Sequence, residues 1–183
     1  MLVSALLLVA GATGEPPAPV WRLDLPVALV AQAPASGVDT RVVPWLGVRV
    51  ARMLDAPNDQ LLVFGGDAAA MLGFGPNEGT SKVRASRFGA TLEGRGLAAL
   101  NAFHTATVWV RPYGYGALQA GGAISTLSAY ADQSLRLLPV WGLGAGAGLE
   151  LTVHVVALRV ELGAGVRDGA FALDSRLAVG AAF

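Results

Sequence analysis

The stretch FALDSRLAVGAAF, Phe171 to Phe183, decides the fold. Phe171, Leu173, Ser175, Leu177, Val179, Ala181 and Phe183 fall on one face of an extended chain, and Ala172, Asp174, Arg176, Ala178, Gly180 and Ala182 on the other. Alternation with period two predicts a strand with one apolar face and one small or polar face.

The same pattern runs outward from that strand. Before it, Val156 to Arg167 alternates between Val156, Leu158, Val160, Leu162, Ala164, Val166 and a face of Arg159, Glu161, Gly163, Gly165, Arg167. Arg167-Asp168-Gly169 between the two is a hairpin signal. Val140 to Thr152 sets Trp141, Leu143, Ala145, Ala147, Leu149 and Leu151 against four glycines and Glu150. Further strands are predicted at Trp21–Gln32, Arg41–Arg52, Leu61–Phe74, Ser86–Ala98 and Ala106–Ala120, separated by turn-forming stretches such as Asp55-Ala56-Pro57-Asn58-Asp59. Pro26, inside the first, predicts a lost ladder bond or a bulge. Gly121 to Arg136 reads as the longest loop, with Ser125, Thr126, Ser128 and Tyr130 as its solvated hydroxyls. Gly142 to Gly148 has GxGxG spacing but no strand-to-helix context, so it reads as packing within a strand.

The expected fold is all-β: an eight-stranded antiparallel up-and-down transmembrane β-barrel over residues 21–183. Strands of this length match the roughly 9–11 residues that a tilted membrane strand needs. An open sheet in hydrocarbon would leave two edges unpaired, and closure removes both.

Composition agrees. Of the 183 residues, 54% are hydrophobic and 14% charged, against roughly 25% charged in soluble domains. Lys82 is the one lysine among 13 basic residues; arginine predominates where guanidinium meets carboxylate in poorly hydrated places. The formal net charge is zero, so no nucleic-acid partner is expected. Cysteine is absent, which excludes disulfides and thiolate metal sites. No cofactor or metal ligand cluster is expected.

Residues 1–12, MLVSALLLVAGA, read as a signal peptide ending in Ala10-Gly11-Ala12, although no Lys or Arg precedes the apolar run. Residues 13–20 form a proline-rich spacer.

The inward faces carry Arg22, Arg49, Arg87, Arg95, Arg111, Arg159, Arg167 and Arg176 against Asp24, Asp67, Glu93, Glu150, Glu161 and Asp174. Eight strands enclose an interior filled by side chains. These charges are expected to pair as a structural network, with the inward glycines leaving room for arginines to cross the lumen. Trp21, Phe74, Trp141, Phe171 and Phe183 are placed to form interfacial girdles.

On these features the chain resembles small eight-stranded outer-membrane barrels of the OmpA-transmembrane and OmpX type. That resemblance implies the cell outer membrane of a Gram-negative envelope, contact with its lipid, and both termini on the periplasmic side. It also implies that terminal Phe183 is read by the barrel-insertion machinery. The outward loops, near Ala33–Asp39, Gly75–Arg84, Gly121–Arg136 and Arg167–Ala170, are short for the family, which argues against a large adhesive surface. A surface partner is not specified.

The reading is therefore a structural or interaction barrel with a charge-paired, largely closed lumen, and not an enzyme. The alternatives are a narrow channel for small solutes or ions, and a soluble lipocalin-like barrel with the apolar faces inside. Some barrel enzymes that modify lipid A use a histidine at the outer rim; His104 and His154 are expected at the opposite end. A membrane helix over Pro112–Ala131, which carries no charge, is opposed by its glycines and proline.

Overall fold

The computed structural model describes residues 20–33, 41–54, 61–75, 78–79, 83–105, 107–129 and 132–183. The expected signal peptide, most of the spacer and Tyr130 lie outside the described residues. Eight long strands are present: β1 (Trp21–Ala33), β2 (Arg41–Met53), β3 (Leu62–Phe74), β4 (Val83–Leu100), β5 (Val108–Ala129), β6 (Asp132–Val153), β7 (Val156–Arg167) and β8 (Ala170–Ala182). Two-residue strands, Glu78–Gly79 and Phe103–His104, pair with β4 and β5.

Each long strand pairs antiparallel with the next, and β8 pairs with β1. The sheet therefore closes on itself, and this closed eight-stranded barrel is the fold. At the seam the Trp21 amide donates to the Phe183 carbonyl at 2.8 Å, and the Phe183 amide to the Trp21 carbonyl at 2.9 Å. Pro26 costs a rung and causes no bulge. The β1–β2 ladder lapses between Asp24↔Arg49 and Val27↔Leu46 and resumes in the same register. The β7–β8 hairpin turns on Asp168 (φ 53°) and Gly169 (φ 78°). Successive positive φ angles match the twist of the strands, and aspartate–glycine supplies them at low cost.

Side chains alternate across the wall. On β1, Trp21, Leu23, Leu25, Val27 and Leu29 are exposed, while Arg22, Asp24, Pro26, Ala28 and Val30 are buried. The arrangement with apolar side chains lining the centre, which a lipocalin-like barrel requires, is thus ruled out by the structure. No helix occurs among the described residues. The apolar wall is continuous around the barrel, and soluble monomers rarely expose such patches beyond a few hundred Å².

Aromatic side chains bracket this wall. Phe74, Phe88, Trp141 and Phe171 project outward near one end, which we call distal; Trp21, Phe64, Phe103 and Phe183 project near the opposite end, where β1 begins and β8 finishes, which we call the terminus end. From Phe171 to Phe183, at about 3.3 Å per residue and a tilt near 40°, the height is about 30 Å, the thickness of a bilayer's hydrocarbon core.

One expectation is overturned. Most of Gly121–Arg136 is strand, not loop: β5 and β6 each run 22 residues, and their ladder continues from Gly121↔Val140 to Ala129↔Asp132. Ser125 and Thr126 lie within β5, and Thr126 Oγ1 is hydrogen-bonded to Ser86 Oγ at 2.5 Å. The glycines suggested a loop, yet Gly121 answers a packing need, since a side chain there would overlap the backbone of Ala90 and Thr91 on β4. Because β6 first meets β7 at Gly142↔Arg167, the ribbon beyond Trp141 rises past β7, while β4 stays paired with β5 up to Val83↔Ala129. Residues 134–139 of that ribbon are exposed on both faces.

Candidate functional site

Alternation turns charged residues of all eight strands into the lumen, where three layers of contacts form. The middle layer centres on Glu161 of β7. Arg49 on β2 donates to it at 2.5 Å, Arg95 on β4 at 2.8 Å, and the Tyr113 hydroxyl on β5 at 2.6 Å. Arg95 also grips Asp67, its ladder partner on β3, through two bonds of 2.8 and 2.6 Å. Bidentate geometry of this kind gives the strongest charge-assisted pairs. Arg95 lies 4.6 Å over the ring of Tyr115. Five strands are thereby tied across the barrel's middle.

Three inward glycines, Gly146, Gly148 and Gly163, serve these tyrosines. A Cβ on Gly148 would sit 2.6 Å from Tyr113 Cζ, and one on Gly163 would sit 2.5 Å from Tyr115 Oη. The expectation that the inward glycines leave room for arginines is corrected at these three, which make room for tyrosines.

Toward the termini, Glu150 receives Arg22 at 2.7 Å and Arg159 at 3.0 Å, with Arg111 at 3.7 Å. Arg159 also pairs with Asp24 at 2.9 Å. Arg111 donates to the Asn101 side chain at 2.8 Å and lies over Trp109. Toward the distal end, Arg176 engages both oxygens of Glu93 and also Asp174, at 3.0 Å from Nε. Gln119 donates to Thr91 at 2.6 Å. Arg87, at the rim, pairs with Asp168 at 3.0 Å and is partly exposed. Arg167 makes no ion pair among the described residues and lies 5.0 Å over the ring of Trp45.

Apolar packing fills the spaces between. Ala28, Val30, Trp45, Ala69, Met71 and Ala172 form one buried cluster within the lumen. The cavities left inside measure about 40, 10 and 30 Å³, room for one or a few water molecules each.

All fourteen charged residues singled out from the sequence face the lumen or its rim. Phe183 projects outward beside the seam. Tyr113, Asn101 and Asp168 join the contacts without having been singled out as site residues. For Tyr113 the available signal was an inward position among arginines. His104 stacks on Trp109 with ring centroids 4.6 Å apart, and His154 occupies the β6–β7 turn, both at the terminus end. Among the described residues no cluster of His, Asp and Glu is placed to hold a metal.

No family model matches the sequence, and no curated protein does. Solved structures do. Ail, the attachment invasion locus protein of Yersinia pestis, aligns over 91% of this chain and 99% of its own, with a TM-score of 0.60 at 14% identity. Neisserial surface protein A covers 89% of this chain and 97% of its own, with a TM-score of 0.56 at 15% identity. The N-terminal β-barrel domain of Pseudomonas aeruginosa OprF covers 88% and 97%, with a TM-score of 0.52 at 14% identity. The fold is the one shared by these small eight-stranded barrels.

Proposed function

We propose that the protein is an outer-membrane barrel that serves structural or surface-contact roles, with its lumen held shut by ion pairs. The observation that carries this reading is the polarity of the wall: a continuous apolar exterior between two aromatic girdles, around a core of paired guanidinium and carboxylate groups. In lipid the exterior is solvated by acyl chains, and the interior charges meet partners in place of water. Similarity in fold to an attachment protein and a surface protein supports the surface-contact role.

The middle layer blocks any straight path, because Arg95, Glu161, Arg49 and Tyr113 meet across the lumen. The purified barrel in planar bilayers is therefore expected to give no stable, discrete openings. Well-resolved single-channel steps would overturn the closed lumen in favour of a conduit. Heat-modifiable gel mobility of the outer-membrane fraction tests the location, and a chain found only in the soluble fraction would refute it. Neither His104→Ala nor His154→Ala is expected to change the lipid A profile of the host.

A further inference from the structure

We propose that the distal mouth of the lumen binds an oxyanion, a carboxylate, sulfate or phosphate group, on Arg167 and Trp45. Arg167 ends β7 and Trp45 lies on β2, each more than nine-tenths buried. Atom Nη1 of Arg167 and Nε1 of Trp45 are buried donors without a hydrogen-bond partner among the described residues. Both residues line the 30 Å³ cavity, and Arg167 also lines the 40 Å³ cavity on its other side. A buried unpaired donor costs free energy, and an unpaired guanidinium costs more.

Elsewhere in the lumen the guanidinium groups have found carboxylates. Arg167 instead lies over the Trp45 ring, which orients its planar fork and leaves Nη1 without a partner among the described residues. The 30 Å³ cavity is also lined by Arg87 and Asp168, which pair with each other. Its lining thus holds two arginines and one carboxylate, one positive charge in excess. The Arg87 and Asp168 side chains are 38% and 23% exposed, so the cavity opens toward the distal side. A guanidinium fork presents parallel donors that match two oxygens of one anion, and the indole N–H adds a third. A halide would use only part of that geometry.

The test uses the folded full chain in detergent micelles, with nitrogen-15 in its indoles. Sodium sulfate, phosphate and acetate are titrated separately, with chloride holding ionic strength constant. The Trp45 indole resonance, assigned by its loss in Trp45→Phe, is expected to shift saturably with at least one oxyanion; the Trp21, Trp109 and Trp141 indoles are expected to stay in place. Comparison of the three anions identifies the preferred class. In Arg167→Gln the half-saturating concentration should rise about tenfold or more, the loss of one charge-assisted bond, whereas Arg111→Gln at the opposite end should leave it unchanged. No saturable shift with any of the three, or a shift that persists in Arg167→Gln, would overturn the site. Should Arg167→Gln not fold, Arg167→Lys keeps the charge without the fork and is expected to weaken binding. The wild-type titration by itself decides whether an oxyanion binds. None of these results depends on whether the lumen conducts.

Discussion

The middle of the lumen and its distal mouth use the same residue types to different ends. In the middle, Glu161 is met by two arginines and a tyrosine, and Arg95 by three carboxylates, Asp67 and Glu161 in hydrogen bonds and Glu93 at 3.6 Å. At the mouth, Arg167 has an aromatic face and makes no ion pair among the described residues. Saturation separates the two. A charge whose partners are all supplied by the wall contributes to holding that wall together, while a charge left unsaturated at an opening has capacity for something else. Burial alone would not distinguish them, since both arginines are buried.

The largest effect should come from the middle. Glu161→Gln removes the anion shared by Arg49 and Arg95 and leaves two guanidiniums short of charge in a closed space. Breaking a buried pair on one side typically costs about 3–5 kcal/mol. Urea unfolding in lipid vesicles should show the unfolding free energy falling by an amount of that order. A shift below about 1 kcal/mol would mean that water reaches the middle layer and screens it.

The next change tests whether that cost belongs to the lumen or to the strand that carries it. Val160 adjoins Glu161 and points the opposite way, into the apolar exterior. Val160→Arg should cost about 2–4 kcal/mol in lipid, falling to about 0–1 kcal/mol for Val156→Arg, which lies at the strand's end near the girdle. The same pair in a soluble barrel would show little dependence on depth. Arginine at the inward Gly163 is a poor control for these variants, because any side chain there collides with Tyr115.

A smaller effect is expected from Gly148→Ala. The added methyl displaces Tyr113, whose hydroxyl bonds to Glu161. Overpacking of this kind costs about 1–3 kcal/mol, read by the same unfolding measurement. A neutral result would show that the ring moves aside freely and that its bond to Glu161 adds little.

Parity made the barrel legible. A closed sheet in an apolar medium needs only that odd and even positions differ, and the strands from Trp21 to Phe183 obey that rule where they form the wall, the upper β5–β6 ribbon excepted. The partners in the lumen were not legible, because Arg49, Arg95 and Tyr113 reach Glu161 across 112, 66 and 48 residues. Which arginine meets which carboxylate depends on strand stagger, and parity carries no stagger. The tall β5–β6 ribbon was missed for a related reason. Gly121 and Gly122 resemble loop residues until the neighbouring strand is known to approach them. Arg167 looked like one more member of a paired set; only the positions of the carboxylates show that it was left out.

That exclusion sets the smallest effect and the sharpest contrast. Arg95→Gln breaks bonds to Asp67 and Glu161 together and should be nearly as damaging as the loss of Glu161 itself. Arg167→Gln breaks no ion pair. It relieves the cost of a buried cation and forfeits a desolvated stacking contact worth about 2 kcal/mol. These two changes oppose each other, so the unfolding free energy should stay within about 1 kcal/mol of the parent. Measured side by side, the two arginine variants ask one question of two places in the same lumen. If Arg167→Gln proved as costly as Arg95→Gln, the mouth would be part of the structural network, and its free donors would have partners in the folded protein after all. If both proved harmless, the middle layer would not be holding the wall, and the distinction between saturated and unsaturated charge would fail.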